Sequence, residues 1–262
     1  MKLDGKHVWV TGASSGIGAA LVPALLARGA KVIVTARRAE RLEALVARHG
    51  TDRVAVVAAD LGDPAAIEPA AAQAKDAFGR VDALINNAGR SQRSPANATT
   101  MDDVRALMEL NFMAPVALTQ AVLPEMVARG SGHICAVSSV AGYVPTPHRS
   151  TYCASKFAVR GYFDSLRAEL ARTGVEVSVI CPGYVRTEIS ERAVAEEGRV
   201  YGKKSPAIEG GLSPERCAEA IVRAIERGRA EVHVGGPEVA GIQLARFLPG
   251  LVRRLAPRLT PE

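Results

Sequence analysis

A glycine-rich turn near the N-terminus constrains the fold of this chain more than any other feature. Residues 6–11 form a short apolar run that predicts a strand, and residues 19–28 continue with helical periodicity. Glycines between them allow a tight turn, and the N–H groups at the start of the helix suit a pyrophosphate. The spacing, G-x-x-x-G-x-G, differs from the G-x-G-x-x-G of many dinucleotide sites. The turn residues predicted to line a dinucleotide site are Gly12, Ser14, Ser15, Gly16, Ile17 and Gly18.

Strand-like and helix-like segments alternate through the rest of the chain. This alternation predicts an α/β fold, a doubly wound parallel sheet with helices on both faces. Residues 1–262 contain no linker rich in Pro, Gly or Ser, so we expect a single domain with its core at about 5–235. Residues 186–212 are charged and without clean periodicity, which predicts a mobile lid. Residues 238–262 form a C-terminal tail. The predicted strands after the first lie at 30–36, 53–59, 81–85, 133–137, 175–181 and 231–234.

The end of the second predicted strand indicates which dinucleotide the chain binds. An acidic residue at this point binds the ribose 2′-hydroxyl of NAD(H), whereas an arginine accommodates the 2′-phosphate of NADP(H). Arg37 and Arg38 stand here, and no carboxylate lies beside them in the sequence. The pattern therefore favours NADP(H) over NAD(H). The alternative is that both arginines belong to the solvated start of a helix over residues 40–49.

Two further strand ends carry candidate cofactor contacts. Asp60 can accept a hydrogen bond from the adenine amino group, and Leu61 can pack on the ring. At the end of the fourth predicted strand, Asn87, Ala88 and Gly89 suit a backbone that turns sharply beside a flat ligand.

Residues 138–156 bring together the side chains that predict chemistry. Tyr152 and Lys156 lie four apart at the start of a predicted helix, so the phenol and the ammonium are expected to share one face. A cation beside a phenol lowers its pKa from about 10 toward the working range of an acid/base group. Ser139, at the end of an apolar strand, is placed to bond the substrate oxygen that Tyr152 protonates. Tyr and Lys pairs at this spacing are also common on inert helix surfaces.

Composition narrows the function classes. The chain has 33 basic and 27 acidic residues, a net charge of +6 and 4% aromatics, without the dense basic run typical of nucleic-acid binders. The four cysteines and five histidines show no metal-ligand spacing. The N-terminus lacks an apolar signal segment, which predicts a cytoplasmic location. The basic, apolar tail from residue 242 is predicted to pack on a second subunit or to contact a membrane surface.

Taken in order, these motifs resemble those of the classical short-chain dehydrogenases/reductases over about residues 5–235. The family resemblance implies a seven-stranded Rossmann-type sheet and NAD(H) or NADP(H) as cofactor. It also implies a tetrad in which Tyr152 is the general acid/base and Lys156 lowers its pKa and binds the nicotinamide ribose. Ser139 would polarise the carbonyl, with Ser138 as a competitor, and Asn111 would hold a water that relays protons. The cofactor contacts implied at the last strand ends are Pro182, Gly183, Val185 and Thr187.

The expected function is an NADP(H)-dependent oxidoreductase that transfers a hydride between the nicotinamide and a ketone, an aldehyde or a secondary alcohol. Apolar residues near the lid predict an apolar substrate; they include Val144, Pro145, Ile189 and Tyr201. Members of the resembled family imply a homodimer or homotetramer. The motif around Tyr152 is similar to the branch that contains hydroxysteroid- and retinol-type reductases. Two alternatives remain: an NADPH-binding sensor or scaffold without turnover, and a membrane-surface reductase of a lipid-like carbonyl.

Overall fold

The computed structural model describes residues 1–259, and seven parallel strands form its central sheet. The strand order is β3-β2-β1-β4-β5-β6-β7, which confirms the predicted seven-stranded, Rossmann-type sheet. The strands are β1 His7–Thr11, β2 Lys31–Ala36, β3 Val54–Ala58, β4 Ala83–Asn86, β5 Gly132–Val137, β6 Val175–Pro182 and β7 Glu231–Val234.

Ten α-helices accompany the sheet within residues 1–259. Most connect successive strands, and the two last ones belong to the C-terminal tail. The helices are α1 Gly16–Leu26, α2 Ala39–His49, α3 Ile67–Phe78, α4 Met101–Met108, α5 Ala114–Arg129, α6 Ser150–Glu169, α7 Pro206–Glu209, α8 Pro214–Glu226, α9 Ala240–Phe247 and α10 Pro249–Leu255.

Two apolar layers hold the helices against opposite faces of the sheet. Side chains alternate along a strand, so Trp9 points to one face while Val8 and Val10 point to the other. The Trp9 layer packs against α3, α5 and α6, and the Val8 layer packs against α1, α2 and α8. Because both faces are covered, the strands are nearly continuous in apolar residues, which is why the sheet was predictable.

The strand order places a crevice between β1 and β4. From β1 the chain adds β2 and β3 on one side, and it then returns to add β4 to β7 on the other. The loops after β1 and β4 therefore leave the sheet in opposite directions, and in open parallel sheets ligands bind at this switch point.

A π-helical turn interrupts the helix that was predicted to be continuous from Thr100 to Arg129. The Thr100 hydroxyl caps α4 by accepting from the Asp103 N–H at 3.1 Å. The π turn Glu109–Met113 follows before α5 begins. Such a turn inserts one residue into the helix and is frequent at functional sites. By length and composition the segment Met101–Arg129 could cross a membrane, but here it packs against α3 and α6.

The predicted lid and tail have their own local order. Residues 186–212 contain α7 and a 3₁₀ turn, Glu196–Gly198, and Val194 forms a bridge with Gln92. In the tail, Ile242 of α9 and Val252 of α10 are buried against the body of the molecule. Residues 260–262 of the tail lie outside the described part of the chain.

Candidate active site

One cavity of about 530 Å³ opens at the carboxyl ends of the strands, at the switch point. It collects side chains and backbone from the loops after β1, β2, β3, β4, β5 and β6. The predicted site residues that line it are Gly12, Ser14, Ser15, Gly16, Ile17, Arg37, Arg38, Asp60, Leu61, Asn87, Ala88, Gly89, Ser139, Tyr152, Lys156, Pro182, Gly183, Val185 and Thr187.

The glycine turn fits a dinucleotide because its backbone has no room for side chains. Gly12 has φ +69°, and a Cβ there would lie 2.9 Å from the Ala88 Cα. Gly16 has φ +55°, and a Cβ there would lie 2.8 Å from the Thr187 Cγ2. Gly18 was predicted to contact cofactor, but it is not among the residues that line the cavity. It lies inside α1, and a Cβ there would collide with the carbonyl oxygen of Gly12, so Gly18 serves close packing of helix on turn.

Hydrogen bonds between β1 and β4 fix the floor of this site. The Thr11 hydroxyl accepts from the N–H groups of Asn87 and Ala88, both at 3.0 Å. The Asn87 amide donates to the Thr11 carbonyl oxygen at 2.8 Å. Asn87 thus ties the two central loops together, which leaves the adjoining Ala88 and Gly89 backbone facing the cavity.

The two arginines at the end of β2 have different surroundings. Arg38 donates to the hydroxyls of Ser14 at 2.8 Å and Ser15 at 3.3 Å, which holds its guanidinium over the glycine turn. Arg37 is more exposed and lies 3.6 Å from the Asp60 carboxylate. The assumption that no carboxylate stands beside these arginines is therefore wrong for Arg37, because the end of β3 brings Asp60 to it.

Arg38 lies near two further arginines. Burial lowers the pKa of Arg38, the neighbouring guanidinium groups of Arg192 and Arg41 lower it further, and the carboxylates of Glu188 and Glu40 partly oppose them. Like charges that gather beside hydroxyl groups stabilise a bound dianion such as a phosphate monoester. Arg38 with Ser14 is thus a better candidate for reading a 2′-phosphate than Arg37.

The turn after β6 closes the other side of the cavity. Glu238, from the start of the tail, accepts from the Tyr184 N–H at 2.8 Å and lies against Gly183. Any side chain at Gly183 would collide with the Glu238 carboxylate. The tail therefore fastens the Pro182-Gly183 turn in place.

Tyr152 and Lys156 share one face of α6, as their spacing predicts. The Lys156 ammonium lies 5.9 Å from the centre of the Tyr152 ring and donates to the Val137 carbonyl oxygen at 2.9 Å. The Ser139 hydroxyl is within hydrogen-bonding reach of the Tyr152 phenol. The Ser138 hydroxyl instead donates to the Lys156 carbonyl oxygen at 2.9 Å. The Ser139 hydroxyl also has backbone partners, accepting from the Ala141 N–H at 3.1 Å and lying 3.5 Å from the Pro182 carbonyl oxygen. Ser139 and not Ser138 acts on the phenol of Tyr152, which favours Ser139 as the serine that faces a substrate.

Burial controls the protonation of both groups. It raises the pKa of Tyr152, and the Ser139 hydrogen bond and the Arg149 charge only partly oppose it. Burial also lowers the pKa of Lys156 to about 8, so the ammonium stays charged at neutral pH. The predicted lowering of the phenol pKa is therefore wrong for this structure, because the loss of water around Tyr152 outweighs the nearby cations.

Asn111 lies behind the cavity and does not line it. It is 1% exposed, and its amide bonds the N–H of Arg90 at 2.8 Å, the carbonyl of Arg90 at 2.9 Å and the Ser155 hydroxyl at 3.0 Å. The backbone carbonyl that Asn111 satisfies belongs to Arg90, in the loop after β4, while Asn111 itself lies in the π turn Glu109–Met113. A Cβ placed on Gly89 would lie 3.2 Å from the Asn111 amide oxygen and 3.5 Å from the Lys156 ammonium nitrogen. Gly89 thus keeps open the space between Asn111 and Lys156.

Gln92 is a site residue that the sequence did not single out. It is fully buried, and its side-chain oxygen accepts from the N–H groups of Thr151 at 2.8 Å and Tyr152 at 3.2 Å. Its amide group donates to the hydroxyls of Ser94 at 3.2 Å and Thr99 at 2.8 Å. Gln92 therefore caps the first turn of α6 from a distant loop. No local pattern reveals such a contact, because 59 positions separate Gln92 from Thr151.

The tail forms an apolar wall of the cavity, which was also not predicted. The expectation placed the tail on a second subunit or a membrane, yet part of its apolar surface covers the cavity of its own chain. Val144 and Ile189, predicted to face an apolar ligand, line the cavity, whereas Pro145 and Tyr201 do not. The tail residues in the wall are Gly241, Leu244, Val252, Leu255 and Leu259.

Comparison with known proteins identifies this arrangement. Residues 6–198 match the model of the short chain dehydrogenase family. The chain belongs to the short-chain dehydrogenase family. Among curated relatives, "Dehydrogenase/reductase SDR family member 7B" of Rattus norvegicus is 41% identical, and the alignment covers 96% of this chain and 78% of the relative.

Solved short-chain dehydrogenases share the whole fold. A protein from Burkholderia cenocepacia in complex with NADP is 32% identical with a TM-score of 0.81, and the match covers 100% of both chains. A protein from Burkholderia phymatum in complex with NAD is 26% identical with a TM-score of 0.85, covering 100% of this chain and 98% of that one. This short-chain dehydrogenase is accordingly an oxidoreductase with a nicotinamide cofactor.

Proposed function

We propose that this protein is an NADP(H)-dependent oxidoreductase that interconverts a ketone or aldehyde with its alcohol. The observation that carries the proposal is the convergence of Tyr152, Ser139 and Lys156 on one cavity beside the glycine turn. A phenol and a hydroxyl within hydrogen-bonding reach of each other can both bond a single substrate oxygen.

The chain's own residues have separable tasks in this reaction. The nicotinamide supplies or accepts the hydride when bound. Tyr152 donates a proton to the carbonyl oxygen, and Ser139 holds that oxygen in line by donating a second hydrogen bond. The Lys156 ammonium, charged below its pKa of about 8, favours the phenolate that remains. Asn111 fixes the Arg90 backbone behind Lys156 and borders the space that a relay water requires.

The choice of NADP(H) over NAD(H) rests on Arg38. Its guanidinium is already held at the Ser14 hydroxyl, next to the turn that receives the pyrophosphate. The paired N–H groups of a guanidinium beside a hydroxyl bind a phosphate monoester strongly, and they bind an unphosphorylated ribose hydroxyl only weakly. Arg37 contributes less, because Asp60 neutralises it.

Replacement of Tyr152 by Phe tests the assigned chemistry. We expect Tyr152→Phe to lower kcat by at least about 10³-fold, because it removes the proton donor, while NADPH affinity changes less than about threefold. A panel of ketones, aldehydes and secondary alcohols, followed by NADPH absorbance, gives turnover, and quenching of Trp9 fluorescence gives NADPH binding.

Two results would contradict the proposal. Wild-type turnover in Tyr152→Phe would remove the role of the phenol, and a strong preference for NADH over NADPH in the parent protein would remove the role of Arg38. A parent protein that binds NADPH but turns over no member of the panel would favour the alternative of a sensor or scaffold.

A membrane-surface location is the second candidate, and one observation favours it. The side of the tail that faces away from the cavity exposes Phe247 at 78% and Leu248 at 54%, with Arg253 and Arg254 on the following helix. Apolar side chains beside arginines suit an anionic lipid surface. The alternative occupant of this surface is a second subunit in a homodimer or homotetramer.

We further propose a reducing, cytoplasmic setting, which the four free cysteines support.

A further inference from the structure

Arg149 is a cavity residue that the proposed chemistry does not use. It precedes α6, lies three residues before Tyr152 and lines the same cavity. Its guanidinium makes no hydrogen bond or ion pair with any residue in the described range 1–259, and its Nε is shielded from solvent. Other arginines of the cavity do have partners: Arg37 pairs with Asp60, and Arg192 pairs with Glu188.

The backbone around Arg149 is fixed. The preceding residue, His148, has φ +61°, in the left-handed region, and its carbonyl accepts from the Ser94 N–H at 3.0 Å. The Arg149 carbonyl accepts from the Cys153 N–H at 2.8 Å in the first turn of α6. These bonds hold the backbone of Arg149 in place at the start of α6, and the positive φ of His148 marks local strain beside it.

Thr146 is a second polar residue of the cavity lining. Its hydroxyl oxygen is shielded from solvent and has no hydrogen-bond partner among residues 1–259. Arg149 also acts on the reacting centre, since its charge lowers the pKa of Tyr152 against the effect of burial. A partly buried cation without an acidic partner is costly, and a bound anion offsets that cost.

We propose that the substrate carries an anionic group, a carboxylate or a phosphate, which Arg149 binds while the carbonyl lies at Tyr152. Thr146 provides the second contact. A guanidinium fork matches the paired oxygens of either anion. The proposal rests on the proposed function and narrows its substrate class.

The rest of the cavity lining indicates the chemistry of the remaining part of such a substrate. The cavity lining includes Leu244, Val252 and Leu255 of the tail, and also Val144 and Ile189. These side chains offer hydrocarbon contacts and no charge. The substrate is therefore an amphiphile: an anionic head near Arg149, a carbonyl or alcohol at Tyr152 and an apolar chain along the tail.

The turnover test compares matched charged and neutral substrates. One pair is 3-hydroxydecanoate and its methyl ester, oxidised with NADP⁺; the other is dihydroxyacetone phosphate and dihydroxyacetone, reduced with NADPH. We expect the anionic member of at least one pair to have a kcat/KM at least about tenfold higher, and the pair that shows it identifies carboxylate or phosphate.

Variants of Arg149 connect that preference to its side chain. Arg149→Gln is expected to lower the anionic-to-neutral ratio at least about tenfold, mainly through KM, because it removes ground-state binding. Arg149→Lys keeps the charge without the fork and should retain part of the ratio; it serves as the comparison if the Gln variant does not fold. The control is Arg105→Gln, an exposed arginine of α4 paired with Asp102, which should leave the ratio unchanged.

Two outcomes of this test overturn the proposal. The first is equal use of charged and neutral members by the parent protein. The second is an equal loss for both members in Arg149→Gln, which would mean that Arg149 acts only on the Tyr152 phenol. Either result leaves the proposed function standing.

A binding measurement separates failure of this inference from failure of the proposed function. Calorimetric titration of octanoate, octan-1-ol and inorganic phosphate into the protein with NADP⁺ needs no turnover. We expect octanoate or phosphate to bind the parent protein at least about tenfold more tightly than Arg149→Gln, and octan-1-ol to discriminate less. This result without turnover of any substrate would reject the proposed function alone, whereas equal anion binding by both proteins would reject the subsite.

Discussion

Lys156 carries its ammonium into a place with almost no water. The side chain is 5% exposed, its hydrogen bond goes to the Val137 carbonyl, and burial lowers its pKa to about 8. No carboxylate is among the groups that act on it. A charge held in this way destabilises the folded state, and it persists where function requires it.

Replacement of Lys156 by Met should therefore stabilise the protein while it removes turnover. At pH 7 the buried charge is lost and one hydrogen bond with it, so we expect a net gain of roughly 1–2 kcal/mol and a rise in Tm of about 2–6 °C. Thermal unfolding without added cofactor measures this gain. The exposed Lys203, changed to Met in the same way, should alter Tm by less than about 1 °C.

The sign of the pH dependence distinguishes this cause from better packing. Between about pH 8 and the ordinary lysine pKa of 10.5 the unfolded chain binds more protons at Lys156 than the folded one. The parent protein thus gains stability relative to Lys156→Met as pH rises through this window, and the difference in Tm narrows. A difference that stays constant from pH 7 to pH 10 would argue against a buried ammonium as its source.

For single residues, the sequence indicated which side chains form the site but not how deeply each one is buried. The four-residue spacing of Tyr152 and Lys156 correctly placed both on one face of a helix. The direction of the Tyr152 pKa was wrong, because burial of the phenol depends on remote segments that no local pattern shows. Arg149 was within reach of prediction, since it lies three positions before Tyr152 at a helix start.

The helix α6 depends on another part of the chain for its first turn. The residue before it, Arg149, makes no side-chain cap hydrogen bond. Gln92 fills this role from the loop after β4, and the same loop bonds the lid, since the Arg93 N–H donates to the Val194 carbonyl at 2.7 Å and the Val194 N–H to the Ser91 carbonyl at 2.9 Å. Gln92 is a positioning residue that connects the start of α6 to the lid.

Loss of the Gln92 cap should reduce turnover more than cofactor binding. For Gln92→Leu we expect kcat to fall about 10- to 100-fold, because unfastening the first turn moves the Tyr152 hydroxyl, while NADPH affinity changes less than about threefold. Gln92→Glu retains the accepting oxygen and should restore part of kcat. Steady-state kinetics with a substrate from the panel measures both.

A merely structural role for Gln92 would give a different pattern. The control is Gln73→Leu, on the exposed side of α3, where kcat should stay within twofold of the parent. If Gln92→Leu lowers Tm but leaves kcat unchanged at a temperature where it is folded, the cap supports the fold and does not position Tyr152.

Elements built from local periodicity were predictable, and those shaped by distant contacts were not. The strands and the helix around Tyr152 follow from apolar patterns. The π turn at Glu109–Met113 does not, because helical spacing continues on both sides of it and the extra residue is stabilised by Asn111 bonding the Arg90 backbone. The local signs of the turn are Asn111, a poor helix former, and Pro115 shortly after it.

For the whole molecule, the doubly wound sheet was recognisable from the alternation of strands and helices. Buried parallel strands must be apolar on both faces, and the glycine turn marks the first crossover. The course of the tail was not recognisable. A segment with apolar and arginine residues on several sides fits a subunit, a lipid surface or its own domain equally well, and the structure shows the last of these for one side only.

The outward side of the tail gives a test at the level of assembly. We expect the full chain to co-sediment with phosphatidylglycerol vesicles, more weakly as salt rises, and the double variant Phe247→Ser with Leu251→Ser to lose at least about fivefold of this binding. Neither residue lines the cavity, and both are exposed, at 78% and 42%.

Controls separate a lipid surface from a second subunit. Phosphatidylcholine vesicles should bind the parent protein less, and Val200→Ser, an exposed position of the lid, should not change sedimentation. A parent protein that ignores anionic vesicles, together with a double variant that runs as a smaller species in size-exclusion chromatography, would assign this surface to an oligomer.

The residues proposed to carry out the reaction and the residues that form the apolar wall of the cavity lie in different parts of the sequence. Every proposed acid, base and cofactor contact is encoded before residue 188, whereas one boundary of the chamber is encoded in the last two dozen residues. Replacement of the segment that contains α9 and α10, in evolution or by design, would therefore change substrate specificity and leave the catalysed reaction intact. Homologues with the same reactive motifs need not share a metabolite, and their closing segments are the place to look for the divergence.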